Sequence, residues 1–255
     1  MSDIGSGSTQ APAGGLQLVL PGRRCSAGAG LGWISGGWRI FVKAPVMWII
    51  TLIVLFVIAI IAGFIPIIGS LAFQAVTPVF SAGFVVACRS LEQGGPFELE
   101  HLFAGFKTRF KELVIVGLLY MLGGIVILLV MAGFVGFSIL TAFLTGDPNA
   151  VLTALAASAL TLALGTLIAL ALGLLLVAAV WFAPALVMMN NLAPLEAMKA
   201  SFFACFRNFI PFLLYAIVML ILAIIAAIPI GLGMLVWVPL LIASAYTAYR
   251  EIFTQ

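Results

Sequence analysis

The feature that most constrains this chain is where charge is missing. Six apolar runs, at about 46–65, 68–88, 113–144, 150–189, 210–228 and 232–249, contain no Asp, Glu, Lys, Arg or His. A helix needs about 20 apolar residues to cross the hydrocarbon core of a bilayer, and each run reaches about that length. Only helices and closed barrels satisfy their own backbone in lipid, and uninterrupted runs of this kind read as helices. The expected fold class is therefore all-α: a polytopic membrane helix bundle with six transmembrane helices. Composition points the same way. Of 255 residues, 65% are apolar and 7% are charged, against about 25% charged in an ordinary soluble domain. Such a chain lacks the polar side chains to cover a globule in water. That excludes a cytosolic enzyme, a disordered chain and a nucleic-acid binder, so no nucleic-acid partner is expected.

The third and fourth runs are too long for a perpendicular crossing of a core about 30 Å thick. Tilt, a kink near Gly123-Gly124 or Pro184, or projection beyond the membrane would absorb the excess. Splitting the fourth run in two would leave two short halves and break the charge pattern described next.

Arg23, Arg24, Arg39 and Lys43 precede the first run, and Arg89, Lys107, Arg109 and Lys111 lie between the second and third. Lys199 and Arg207 lie between the fourth and fifth, and Arg250 follows the sixth. All bases then fall on one side. The positive-inside rule makes that side cytoplasmic, with both termini inside, in a bacterial inner membrane. Cys25, Cys88 and Cys205 fall on the same side, where thiols stay reduced, and no Cys/His cluster has metal-ligand spacing. No metal and no cofactor are expected. Residues 1–27 are rich in Ser, Gly, Ala and Pro and are expected to be disordered. They lack the charged start and apolar run of a secretory signal. Residues 28–255 then form one membrane domain, with no soluble domain expected at either end.

The basic connections repeat a pattern: Ser35-Gly36-Gly37-Trp38-Arg39-Ile40-Phe41, Phe103-Ala104-Gly105-Phe106-Lys107-Thr108-Arg109-Phe110 and Phe203-Ala204-Cys205-Phe206-Arg207-Asn208-Phe209. In each, small residues precede an aromatic, a base and a further aromatic, and then a span begins. Pro78, Pro184 and Pro239 sit in the second, fourth and sixth runs. The chain thus reads as three parallel repeats, about 28–92, 93–192 and 193–252, each an interfacial helix plus a transmembrane hairpin. Leu99, Leu102, Phe103, Phe106, Phe110 and Leu113 recur at helical spacing, as do Leu195, Met198, Phe202, Phe206 and Phe209. Such helices belong in the headgroup region, aromatic rings down and bases at the lipid phosphates. The headgroup candidates are Trp38, Arg39, Phe106, Lys107, Phe206 and Arg207; bracing of the span ends is the competing role.

Within the spans the polar groups are few. The fourth run carries small residues every fourth position, at Thr153, Ala157, Thr161, Gly165, Ala169 and Gly173. One such face lets helix backbones approach closely, within the chain or between copies. Gln74 is mid-span and is expected to need an interhelical partner. Thr77, Ser81, Tyr120, Asn190, Asn191, Tyr215, Ser244, Tyr246 and Thr247 are further hydrogen-bonding candidates. The absence of ionisable groups in the spans argues against proton relays and pumps. His101 is the only histidine; it has no nucleophile partner in pattern, and Glu98 and Glu100 read as first-turn acids. No catalytic residue is assigned and no enzymatic activity is expected.

Leu16-Gln17-Leu18-Val19-Leu20-Pro21-Gly22-Arg23-Arg24, Gly32-Trp33, Gly37-Trp38-Arg39-Ile40-Phe41 and Pro45-Val46-Met47-Trp48 resemble the entry of a group of uncharacterised proteobacterial six-span inner-membrane proteins. The organisation is similar to the membrane domain of some glycerophosphodiester phosphodiesterases. The catalytic domain of those enzymes is absent here, so the resemblance implies no activity. The expected function is that of a non-enzymatic integral membrane protein: a scaffold, an accessory subunit or a factor organising membrane lipid. Its expected partners are lipids, other membrane proteins or further copies of itself. The alternative is a passive transporter or channel for an apolar or amphiphilic solute.

Overall fold

A computed structural model describes residues 18–144 and 150–254, without the side chains at 135, 137–139, 141–143 and 150–160. Ten α-helices are described: α1 (Ala29–Phe41), α2 (Pro45–Gly63), α3 (Ile68–Glu92), α4 (Ala104–Thr108), α5 (Phe110–Leu144), α6 (Ala150–Val180), α7 (Ala183–Asn190), α8 (Pro194–Arg207), α9 (Phe209–Ala227) and α10 (Met234–Phe253). A 3-10 helix, Leu99–Phe103, precedes α4. Five stretches among the described residues are long and apolar enough to span a membrane: Pro45–Gly63, Ile68–Glu92, Phe110–Phe134, Thr161–Asn190 and Phe209–Ala227. The sixth expected run forms α10, a 20-residue helix. It falls short of the others in apolarity because Tyr246, Thr247, Tyr249, Arg250 and Glu251 lie in its second half.

Two expectations need correction, and a third takes one of its expected forms. The fourth run breaks just before Pro184, one of the ways expected to absorb its length. α6 ends at Val180, Trp181 and Phe182 bend, and α7 starts with Pro184 in its first turn. Proline lacks an N–H and crowds the preceding turn. Ser201 of α8 splices the break, its hydroxyl accepting from Phe182 N at 3.0 Å and donating to Ala178 O at 2.7 Å. It sits where the backbone bond from Phe182 to Ala178 would have been. By contrast, α5 runs through Gly123-Gly124 for 35 residues, about 52 Å at 1.5 Å per residue.

The second connecting helix is also in pieces, a 3-10 turn and then α4, with Arg109 breaking it from α5. His101 explains the 3-10 start. Glu98 accepts a backbone N–H from the third helical position, and His101 Nδ1 accepts from Glu98 N at 3.1 Å, a reciprocal cap. The lone histidine therefore holds backbone.

Finally, part of the segment expected to be disordered is tied down. Residues 1–17 lie outside the described residues, but from Leu18 the backbone pairs with the end of α10 and Thr254. Leu18 bridges Thr254, Val19 N donates to Phe253 O at 2.9 Å, and Arg23 N donates to Ile252 O at 2.8 Å. The Arg23 guanidinium donates to Glu251 O at 2.8 Å and Thr254 O at 2.6 Å. Asn208, wholly buried, locks the strap: its Oδ1 accepts from Cys25 N at 2.7 Å, and its Nδ2 donates to Arg23 O at 2.9 Å and Ala204 O at 3.0 Å.

The charged residues of several connections meet at one end of the bundle, which we call the basic end. Lys43 Nζ donates to Leu91 O at 2.6 Å, Arg109 bonds Asn191, and Arg250 pairs with Glu92 at 3.0 Å. The short helices pack there in a set order. α1 lies on α10 and α9, the 3-10 helix and α4 lie on α3, and α8 lies on α6 and α7. Small residues allow it: a Cβ on Gly37 would stand 2.6 Å from Ser244 N, and one on Gly105 would stand 2.7 Å from Val79 O. Ala204 is wholly buried on α8. Trp33, Trp48, Phe182 and Phe253 form the heart of the core. Trp48 stacks on Phe84 at 5.7 Å, and Trp33 meets Phe212 at 4.9 Å.

Candidate functional site

The headgroup candidates sit at three separate stations on the basic end. On α1, Trp33, Gly36, Gly37 and Ile40 are buried, and this turns Trp38 and Arg39 outward. Trp38 leans on Phe41 at 5.5 Å. Arg39 has no ion-pair partner among the described residues. On α4, Phe106 packs in a ring cluster with Phe80 at 5.2 Å and Phe110 at 5.6 Å, leaving one edge open. Lys107 reaches Glu100 at 3.6 Å, with both side chains well exposed, so screening leaves that pair weak. On α8, Phe206 lies against Phe202 at 4.6 Å and is exposed, as is Arg207. The ring partners are local to each station, and the six residues do not converge on one pocket.

The α1 station has a groove beside it. A cavity of about 650 Å³ lies between α1, α9 and α10. Trp38 and Arg39 line one end, Leu222 and Trp237 its length, and Ile225 and Gly233 the other end. Its walls are apolar apart from Ser35 and the Arg39 head.

A second cavity, of about 490 Å³, lies among α2, α3, α5, α6, α7 and α10. Gln74 belongs to it. The sequence suggested a residue wedged between packed helices; the structure instead leaves Gln74 exposed on the cavity wall, with no hydrogen bond among the described residues. Gly117 explains why α3 and α5 meet beside it: its Cα side abuts the Ala75 carbonyl, with no room for a Cβ. The basic end of this cavity is closed by hydrogen bonds joining α3, α7 and α10. Tyr246 donates to Glu92 Oε2 at 2.6 Å and Tyr249 to Asn190 Oδ1 at 2.6 Å. Asn190 and Tyr246 were legible as polar candidates. Tyr249 and Glu92 were not, because they sit where a span ends and polar residues are unremarked.

The small-residue face of α6 turns toward α5. Gly165 is buried against Phe134 and Met131, a Cβ there standing 3.2 Å from Phe134 Cγ. Thr161 and Ala169 are half-buried on the same side. Gly173 has nothing within 4 Å of where its Cβ would be, so the close seam stops short of it. The side chains of Thr153 and Ala157 lie outside the described residues.

The thiols outside the spans are poor nucleophiles. Burial, helped by the nearby Glu251 carboxylate, pushes Cys25 up to about 11. Burial pushes Cys205 up to about 12, against a smaller opposing hydrogen bond from Ser201. The thiolate is the reactive form, and little of it is present near neutrality.

Comparison with known proteins adds one relative. The chain is 26% identical over 242 residues to a probable inner membrane protein of Burkholderia thailandensis, covering 91% of this chain and 84% of that protein. No protein-family model matches the chain. No solved structure matches it. The relative agrees with the membrane character drawn from the resemblance. It lends no support to the likeness with phosphodiesterase membrane domains. The five apolar spans make this chain an integral, multi-pass membrane protein.

Proposed function

We propose that this is a non-enzymatic inner-membrane protein that organises anionic lipid at the cytoplasmic face. The inner-membrane placement draws on the relative, a probable inner membrane protein. The observation that carries the reading is the groove of about 650 Å³ ending at outward-facing Trp38 and at Arg39, which has no ion-pair partner among the described residues. An acyl chain suits its apolar walls, and a phosphate suits the guanidinium, at about 1 kcal/mol per base near an anionic surface. Lys107 and Arg207 supply the same chemistry at the other two stations.

In this reading α10 is a sixth span, both termini are cytoplasmic, and the chain is three parallel repeats. The packing order supports it: each short helix lies on the second span of the preceding unit, and the first lies on the last, as a closed threefold ring requires. Single cysteines at Gly32 and Ile230, in a background lacking Cys25, Cys88 and Cys205, test the orientation. An impermeant maleimide is expected to label the Ile230→Cys site in intact spheroplasts and the Gly32→Cys site only after permeabilisation. The reverse order would overturn the topology.

The lipid role is tested by replacing Arg39, Lys107 and Arg207 together with Gln. Native mass spectrometry is expected to show bound anionic phospholipid largely lost while neutral phospholipid is kept. Unchanged anionic lipid would sink the proposal. A passive conduit for an amphiphile is the second reading, favoured by the cavity of about 490 Å³ at Gln74.

A further inference from the structure

We propose that the cavity at Gln74 is a binding site for an uncharged amphiphile: an apolar chain carrying a hydroxyl or carbonyl group. This is a different ligand chemistry from the anionic headgroups above and does not rest on them.

The volume of about 490 Å³ falls within the range of small-ligand sites, about 300–1,000 Å³. The lining follows their pattern too, chiefly aromatic and aliphatic with a few polar groups on one side. Those groups are placed by helix periodicity. Gln74, Thr77 and Ser81 share one face of α3, three and then four residues apart. Thr77 and Ser81 donate back to Phe73 O at 2.9 Å and Thr77 O at 3.1 Å, so each keeps lone pairs to accept with. Gln74 has two donors and an acceptor and no partner among the described residues. Tyr120 faces the same space and is likewise unpartnered. Gly117 abuts Ala75, so Tyr120, almost a turn further along α5, lies near the level of Gln74.

An unpaired amide and an unpaired phenol at one level of a membrane span are expensive, because hydrocarbon offers no hydrogen bond in exchange. A ligand oxygen between them removes that cost. The ligand must also be neutral. No Asp, Glu, Lys, Arg or His lines the cavity, so an ion there would lose its hydration with no counter-charge. Glu92 and Arg250 lie past the floor that Tyr246 and Tyr249 close. The apolar body of the ligand has Phe84, Trp181 and Leu241 to rest against.

The test uses the full chain in nanodiscs of neutral phospholipid and a diazirine-bearing hexadecanol as probe, with labelled peptides mapped after irradiation. Adducts are expected on α3, α5 and α10 residues lining the cavity. Unlabelled hexadecanol should compete about tenfold better than hexadecane, as one or two hydrogen bonds would give. Ionised palmitate should compete no better than hexadecane. Gln74→Leu with Tyr120→Phe should erase the hexadecanol advantage; both groups lack hydrogen-bond partners, so no protein bond is lost. Ala245→Phe, filling the cavity, should abolish the adducts. Adducts spread evenly over the lipid-facing sides of α2 and α9, or hexadecane competing as well as hexadecanol against the unmodified chain, would overturn the proposal. Anionic-lipid retention measured on the same samples reports the headgroup reading separately.

Discussion

At the basic end Trp33, Trp48, Phe182 and Phe253 are wholly buried, whereas at the far end Phe64, Ile228 and Ile230 are 80%, 76% and 97% exposed. Both sets are large apolar side chains. The difference lies in how much chain each end carries beyond the spans. Lipid tails are as apolar as isoleucine, so short far-end turns between spans gain little by burying such side chains in protein. At the basic end longer connections leave the hydrocarbon. There, short helices and a terminal strap must satisfy their backbones and hide apolar surface from water. A core like that of a soluble protein forms at one end of a bundle that elsewhere relies on lipid.

Four experiments sharpen or break that contrast. The largest effect is expected at Gly37, where a Cβ would press on the Ser244 backbone. Gly37→Leu should cost well over 3 kcal/mol, beyond ordinary overpacking, and remove the monodisperse peak in detergent chromatography. Ile230→Ser at the far end should change stability by less than about 0.5 kcal/mol. Equal losses from the two would break the contrast.

Asn208→Ala comes next. It strands part-buried backbone groups at Cys25 and Arg23, at up to about 1–3 kcal/mol each for an unmet bond. The expected result is a lower thermal midpoint and faster proteolysis near Arg23. An unchanged cleavage pattern would mean that the strap holds without it.

A smaller effect separates two glycines of α6. Gly165→Leu meets Phe134 and should cost about 1–3 kcal/mol, loosening the α5–α6 hairpin in thermal scans. Gly173→Leu, with open space around it, should cost almost nothing. Equal costs would mean that the small-residue face packs along its whole length.

The smallest is a rate. Cys25 has its thiol pushed from an ordinary 9.0 up to about 11, so at pH 9 only about 1% is thiolate, where an ordinary cysteine is about half ionised. Maleimide labelling of Cys25 should be tens of times slower than at Gly32→Cys and should rise steeply between pH 9 and 11. The folded state binds this proton more tightly, so the stability tied to it is full below about pH 9 and is lost toward pH 11. Equal rates at the two positions would show that the strap leaves Cys25 open to water.

Much was legible before the structure. Charge-free runs marked the five long apolar spans, and the pattern Gly37-Trp38-Arg39 marked a short helix ahead of the first of them. Pro184 marked the break in the fourth run, though not that Ser201 would splice it, since Ser201 is 17 residues away and reads only as a hydroxyl in an amphipathic helix. The strap at Leu18 to Cys25 was illegible because its partners are carbonyls at the opposite end of the chain and the distant Asn208 amide. Gln74 was recognised as polar and mid-span. Its exposure to a cavity depends on how far α3, α5 and α10 stand apart, which no spacing within α3 encodes.

By itself, the sequence determined that this chain is helical, multi-pass and asymmetric in charge, because hydrocarbon excludes ions and unpaired backbone wherever the run of apolar residues is long enough. The tertiary structure alone decided which polar groups are satisfied and which are left facing open space. Tyr246, Tyr249 and Asn208 find partners in distant segments, while Gln74 and Tyr120 find none among the described residues. Composition fixes the solvent of each segment; only the packing of one segment on another fixes where a cavity remains.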